Sequence, residues 1–122
     1  MNILKSLTAA SLMILIGCAS NPDINREMQA INQALQKAQA ATDFDTFSTH
    51  AQVFEEHVRA AASKAYSGSD AGARTYEAGM GELTVALTAL DAALAAKDLE
   101  AGKAALEQCV ALRKKYHLKL GV

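Results

Sequence analysis

Two side chains near opposite ends of the chain, the thioether of Met28 and the imidazole of His117, carry the chemistry of most interest. A thioether and a neutral imidazole can fill both axial positions of a haem iron, an arrangement suited to passing electrons. Each residue also has an ordinary explanation, since Met28 could fill a gap in a hydrophobic core and His117 could lie at the surface. The pair makes the chain a candidate haem binder only if the fold brings the two residues together.

The other reactive residue types form no catalytic or metal site. Cys109 precedes His117 by eight residues without a Cys-x-x-Cys-His motif, so covalent haem attachment is not expected and a buried free thiol is predicted. His50 and His57 stand seven residues apart on a helical segment, about 10.5 Å along its axis, too far to hold one ion. Both are expected to be solvated. No nucleophile, base and acid form a set, and too few ligands converge for a metal sensor, so an enzyme is not predicted.

The first 17 residues have the features of a secretory signal. Lys5 supplies a positive charge, residues 7–16 are apolar, and Gly17-Cys18 follows directly. An apolar stretch of about ten residues is too short to cross a bilayer, which needs about 20. Leu15-Ile16-Gly17-Cys18 resembles the lipobox of bacterial lipoproteins, which implies that Cys18 is lipidated, whereas the alternative is an ordinary signal with a chance Cys. Ala19 after the Cys resembles lipoproteins sorted to the outer membrane.

Removal of residues 1–17 would leave a tether, residues 18–21, and one domain, residues 22–122. These 105 residues are enough for a single core. Their eleven basic and thirteen acidic side chains give a net charge of −2 with no clustered basic face, so a nucleic-acid partner is not expected. With Cys18 lipidated, Cys109 has no partner for a disulfide.

Composition and turn signals predict four helices. The chain has one proline, Pro22, and Ala, Leu, Gln, Glu and Lys dominate, which favours helix throughout. Asn21-Pro22-Asp23 is typical of a helix start, with Asn21 as the N-cap. Thr42-Asp43 predicts a break and a new cap, residues 67–72 a loop, and Lys97-Asp98 a tight turn.

Each segment carries an apolar seam at alternating spacings of four and three residues. The seams comprise Ile24, Met28, Ile31, Leu35 and Ala38; Phe47, Ala51, Phe54, Val58 and Ala61; Tyr76, Met80, Leu83, Leu87, Leu90 and Leu94; and Leu99, Leu106, Cys109, Arg113, Tyr116 and Leu120. Glu55-Glu56 and Lys114-Lys115 are interpreted as exposed faces. Such seams, joined by short turns, predict an all-α, antiparallel up-down-up-down four-helix bundle.

This topology has a consequence for the two candidate ligands. The first helix begins and the last helix ends at the same end of the bundle, so Met28, roughly 9 Å from the start, and His117, roughly 6 Å from the end, should share a level. Gly79 and Gly81 interrupt the third helix nearby, at a cost of about 1 kcal/mol each. They predict space for a flat macrocycle, a close helix crossing or fraying of the third helix.

Essentially all of residues 22–119 resembles the cytochrome b562 family, most clearly in the first and last helices. The resemblance rests on the run of residues 22–35 around Met28, on Val58-Arg59-Ala60-Ala61-Ala62 and Gly79, and on Glu107-Gln108 followed by Arg113 and by Tyr116-His117-Leu118-Lys119. It implies that Met28 and His117 are the axial ligands and that Arg113 pairs with a haem propionate.

Two departures from the family lie in the third helix and in the loop before it. Tyr76 and Met80 stand where the family has aromatic residues, so the pocket should be less aromatic, with both side chains packing on the macrocycle and the Tyr76 hydroxyl needing a partner. The loop between the second and third helices is shorter than in the family.

The sequence therefore predicts a periplasmic protein that binds haem b non-covalently and carries electrons to or from an unidentified redox partner. Its lipid anchor would hold it on a membrane, at the inner leaflet of the outer membrane. The alternative from a different class is a haem-free adaptor or structural lipoprotein of the cell envelope, which would use the bundle surface to bind other proteins.

Overall fold

The computed structural model describes residues 21–122, and the predictions for the signal segment, Cys18 and most of the tether lie outside them. Four helices follow one another in the order α1 (Pro22–Ala40), α2 (Phe44–Ala62), α3 (Asp70–Ala95) and α4 (Leu99–Leu120). Each begins or ends within a few residues of the predicted turn signals. No strand occurs among the described residues, and the prediction of an all-α four-helix bundle is confirmed.

Side-chain caps start three of the helices. Asp43, Ser69 and Asp98 each accept a hydrogen bond from a backbone N–H three residues ahead, which satisfies a donor that has no partner within the helix. Asn21 is the N-cap of α1, as predicted, but its side chain makes no capping hydrogen bond to the helix. Its amide instead donates to the carbonyl of Ser67 at 3.0 Å and accepts from the N–H of Ser67 at 2.6 Å. The start of α1 is thereby joined to the α2–α3 loop.

The core follows the predicted seams of α1, α2 and α3 closely, but only Leu106 and Cys109 of the predicted α4 seam are buried. Its largest fully buried side chains come from all four helices: Phe47, Phe54, Ile31, Leu87, Leu90, Leu106, Val58 and Cys109. Met28 and Leu94 are only partly buried, while Ala34 and Ala93 join the core. The predicted buried thiol at Cys109 is confirmed, and burial raises its pKa to about 11.

Three expectations about exposure are wrong, all on α2: those for Glu55, for His57 and for His50, which is half-buried like His57. Glu55 is buried although its neighbour Glu56 is exposed, because α2 packs against neighbours on more than one side. His57 is half-buried, and its Nδ1 lies 2.6 Å from Oε1 of Glu27 on α1. The close packing of α1 on α2 shields this imidazole partly from solvent.

The helices pair unevenly. α1 packs chiefly on α2 and α3 chiefly on α4, while α1 and α4 touch only slightly. By length and composition α3 could cross a membrane, but core helices meet the same criteria, and the buried residues of α3 from Tyr76 to Leu90 lie within the bundle. The weak contact between the first and last helices leaves room between the two hairpins.

Candidate cofactor site

A cavity of about 530 Å³ lies between the two helical hairpins, at the end of the bundle where α1 starts and α4 stops. Its volume is in the range of small-molecule and cofactor sites. The lining side chains are mostly apolar: Asn21, Ile24, Asn25, Met28, Tyr66, Tyr76, Gly79, Met80, Leu83, Leu112, Arg113, Tyr116, His117, Leu120 and Val122. All five residues predicted to form a site are among them.

Met28 and His117 lie on different walls of this cavity. Met28 stands on α1 and packs against the core while remaining partly exposed. His117 stands on the last turn of α4 and is half-buried. Since the antiparallel topology brings the start of α1 beside the end of α4, two residues 89 positions apart in sequence border one space.

The surroundings of His117 favour its neutral form. Burial, together with the positive charge of Arg113 one turn earlier, lowers the pKa of the His117 imidazole. Desolvation acts in this direction because it disfavours the charged imidazolium. A neutral imidazole has a nitrogen lone pair with which it can bind a metal.

Arg113 brings a cationic donor to the apolar cavity. Its Nη2 donates to Oδ1 of Asn32 at a long 3.5 Å, and its buried Nε–H has no partner in the part of the chain that is described. Burial also lowers the pKa of the guanidinium. Leaving a buried donor unsatisfied costs roughly 1–3 kcal/mol, so an anionic group entering the cavity would find an unused donor here.

Aromatic residues close the side of the cavity toward α2. The Tyr76 hydroxyl donates to the backbone carbonyl of Ala61 at 2.6 Å, so the partner that its burial requires is supplied by α2. Burial raises its pKa to about 12. The ring of Tyr66 stacks on that of Tyr76 with 5.1 Å between centroids. Met80, nearly fully buried, continues the same wall.

The contacts around Gly79 show which explanation applies to it: space for a macrocycle, a close helix crossing or fraying of the helix. A Cβ at Gly79 would lie 2.6 Å from Cγ of Tyr116, so only glycine allows this ring to reach α3. The Tyr116 hydroxyl in turn donates to the carboxylate of Glu82. Gly81 faces open space, with no atom near its would-be Cβ. The close crossing of α3 and α4 therefore explains Gly79, and packing leaves Gly81 unexplained.

Several contributors to the cavity were not anticipated from the sequence, among them Tyr66 and Leu112. Tyr66 lies in the α2–α3 loop, outside any periodic segment, and reaches the wall by stacking on Tyr76. Leu112 borders the cavity although it is absent from the predicted α4 seam. The sequence offered one signal for Tyr66: it is an aromatic residue in the loop between the second and third helices, which lies at the end of the bundle that holds the cavity. Elsewhere among residues 21–122, no group of three or more His, Cys, Asp or Glu side chains could hold a metal ion.

Comparison with known proteins places the whole bundle in one family. A family model described as cytochrome b562 matches residues 23–120, from the start of α1 to the end of α4. No curated protein matches the chain, and no solved structure matches it either.

Proposed function

The chain belongs to the cytochrome b562 family of haem-binding electron carriers, and we propose that its cavity binds haem b non-covalently, with Met28 and His117 as the two axial ligands. One observation carries the proposal: a thioether and an imidazole of lowered pKa border the same largely apolar cavity of about 530 Å³. Few other functions require these two side chains to face one space.

The remaining residues of the cavity suit the same cofactor. Apolar walls favour burial of a flat macrocycle, and Met80 and Tyr76 supply two of these surfaces. The partnerless Nε–H of Arg113 suits a propionate, since a guanidinium binds carboxylates through charge-assisted hydrogen bonds. The Tyr76 hydroxyl already bonds to Ala61, so this ring would contribute packing rather than a hydrogen bond.

The chemistry follows from the ligand set. When bound, haem supplies a one-electron couple, and Met/His ligation favours a raised reduction potential. Two protein ligands would leave the iron no open position for substrate or oxygen. The half-buried His117 and the surrounding apolar side chains would also limit access of water. This arrangement suits electron transfer to and from a partner protein rather than catalysis.

We further propose that the bundle is a periplasmic lipoprotein. Cys18 would carry the lipid, residues 18–21 would form the tether, and the inner leaflet of the outer membrane would be the site of attachment. The support is the lipobox-like motif before Cys18 and the Ala19 that follows it. A redox partner would then be found in the periplasm or in the same membrane.

Titration of the haem-free protein with haem tests the ligand assignment. Low-spin absorption bands are expected on reduction, and Met28→Ala and His117→Ala should each abolish them by removing an axial ligand. His50→Ala is the matched control, because this histidine lies on α2 away from the cavity, and it should leave the spectrum unchanged. A protein that ignores added haem, or variants with unaltered bands, would contradict the proposal and favour the adaptor function.

A further inference from the structure

The outward face of the last two turns of α4 combines exposed aliphatic and basic side chains. Leu118, the aliphatic side chain of this face, is 76% exposed. Three exposed lysines flank Leu118 on this face: Lys114, Lys115 and Lys119. Residues 108–122 include no acidic side chain, although the predicted mature chain carries net negative charge. The end of α4 is thus a local basic and apolar surface on an otherwise acidic protein.

Helical geometry sets this surface apart from the cavity. At 100° per residue, Leu118 and its three flanking lysines fall within an arc of about 140°. The residues of α4 that line the cavity lie on the other side of the helix, in a separate arc of about 140°: Leu112, Arg113, Tyr116, His117 and Leu120. A partner could therefore cover the outward face without entering the cavity.

Neighbouring contacts hold part of the face in place. The ammonium groups of Lys115 and Lys119 lie 5.2 and 5.1 Å from the centroid of the Tyr116 ring. Lys115 also lies 3.9 Å from the carboxylate of Glu82, which offsets part of its charge. Lys114 and Lys119 have no acidic partner among residues 21–122. The face keeps a net positive charge, and the Tyr116 ring holds two of its three ammonium groups in place.

The face lies at the same end of the bundle as Asn21, where the chain enters the first helix, and this position indicates which surface the face contacts. Asn21 and Val122 border the same cavity, so the chain enters the bundle at the end where α4 stops. Cys18 precedes Asn21 by three residues, a stretch that spans at most roughly 10–14 Å when extended. If Cys18 is lipidated, as proposed above, the basic end of α4 is held close to the lipid headgroups.

We propose that this face, formed by Lys114, Lys115, Leu118 and Lys119, docks on the anionic lipid surface of the membrane that anchors the chain. Lysines around an aliphatic side chain are typical of helices that lie in the membrane interface. The patch is too small to bind a membrane by itself, but a tether raises the effective concentration of the surface and makes weak docking sufficient. The inference rests on the lipid anchor of the proposed function. Docking would fix the orientation of the bundle and leave the cavity side of α4 uncovered.

Cysteine accessibility tests the proposal on the mature, haem-loaded chain in vesicles. Leu118→Cys would be modified with a water-soluble maleimide, while Cys109 is fully buried and protected. Each lysine at an anionic surface contributes about fivefold to binding, so Lys114 and Lys119, which have no acidic partner among residues 21–122, together favour docking by about 25-fold. Modification should therefore slow at least about tenfold in phosphatidylcholine vesicles that contain phosphatidylglycerol, relative to phosphatidylcholine alone. The difference should vanish at about 1 M salt, where charges are screened beyond about 3 Å.

Val85→Cys is the matched control, because Val85 is 69% exposed on α3. It should react at the same rate in both vesicles. Adding Lys114→Gln and Lys119→Gln to Leu118→Cys should restore fast modification. Equal rates for Leu118→Cys in both vesicles would overturn the proposal. So would protection that needs added membrane proteins, since the face would then bind an acidic protein.

Failure of the docking face and failure of the anchor are distinguishable. The mass of the mature chain reports whether Cys18 is acylated, and the haem spectrum reports the cavity. An unacylated chain would overturn the anchor and the docking face together. An acylated, haem-loaded chain without protection at Leu118→Cys would overturn the docking face alone.

Discussion

Among residues 21–122, Glu55 is the one charged side chain buried in the core. Its side chain is 10% exposed; Oε1 accepts from Nη2 of Arg59 at 3.3 Å, while Oε2 is buried without a partner. The same Nη2 lies 3.4 Å from Asp91 on α3. Burial, and next the neighbouring Asp91 carboxylate, raise the pKa of Glu55 to about 7. Glu55 is therefore a source of pH dependence within the fold.

The stability that Glu55 contributes to the haem-free protein should be lost as pH rises from about 4.5 to about 7. Over this range the folded protein retains the Glu55 proton that the unfolded chain, with an ordinary pKa of 4.5, has released. We expect the free energy of unfolding to fall by roughly 2 kcal/mol through this residue, since one pKa unit corresponds to about 1.4 kcal/mol and part of the shift is shared with Asp91. Glu55→Gln should remove this component, as seen in urea unfolding at a series of pH values.

The adjacent Glu56 provides the control for this prediction. Glu56 is exposed on the same turn of α2, so Glu56→Gln should preserve the pH dependence of the parent protein. If Glu55→Gln also preserved it, the origin of the pH dependence would lie in another group, and Glu55 would not be a buried titrating residue.

At the scale of the helices, glycine positions show which pairs pack closely. Gly102, in the first turns of α4, faces the ring of Phe47 on α2, and a Cβ there would lie 2.5 Å from Cε2 of that ring. Phe47 is fully buried and cannot move outward without opening the core. This contact stands at the end of the bundle opposite the cavity. One end of the bundle is thus tightly packed, while the other encloses space.

Replacing two glycines by alanine should change stability in opposite directions. Gly102→Ala should destabilise by about 1–3 kcal/mol, because overpacking against Phe47 outweighs the gain in helix propensity. Gly81→Ala should stabilise by about 0.5–1 kcal/mol, since its Cβ meets no atom within 4 Å. Denaturant midpoints measured on the two variants check both signs. A stabilised Gly102→Ala protein would show that α2 and α4 are further apart than described.

At the scale of the whole molecule, the cavity divides two hairpins whose outer helices, α1 and α4, barely touch. A ligand held by Met28 on one hairpin and His117 on the other would join the hairpins directly. Binding to the folded state alone stabilises it by mass action. The bundle should therefore gain cooperativity as well as stability when the cavity is filled.

Haem should raise the melting temperature of the bundle. At a free haem concentration 100 times the dissociation constant the gain is about 2.7 kcal/mol, or roughly 10–20 °C for a domain of this size. Metal-free protoporphyrin is the control, because it has the same macrocycle and propionates but no iron for Met28 and His117. Calorimetry should show a clearly smaller rise with the porphyrin. Equal rises would mean that packing and the propionate contacts, not axial ligation, hold the cofactor.

Local signals along the sequence determined the helices and their order. These signals act on neighbours a few residues away: the apolar seams at helical spacing, Pro22 at the start of α1, and the capping residues Asp43 and Asp98. Once four antiparallel helices are formed, their topology places Met28 and His117 at one end of the bundle. Residues 22–35 and 107–119 also carried the family resemblance. These properties depend on neighbours in sequence or on topology alone.

Only the tertiary structure decided which polar groups are buried and which rings form the cavity wall. Three features depend on how far each helix is rotated about its axis and how closely it packs on a second helix. They are the burial of Glu55 beside exposed Glu56, the Nε of Arg113 without a partner among residues 21–122, and the place of Tyr66 in the cavity wall. The periodicity of a single helix identifies its buried side but not the atoms it will meet. Those contacts are set by side chains distant in sequence, which come together only when the helices pack.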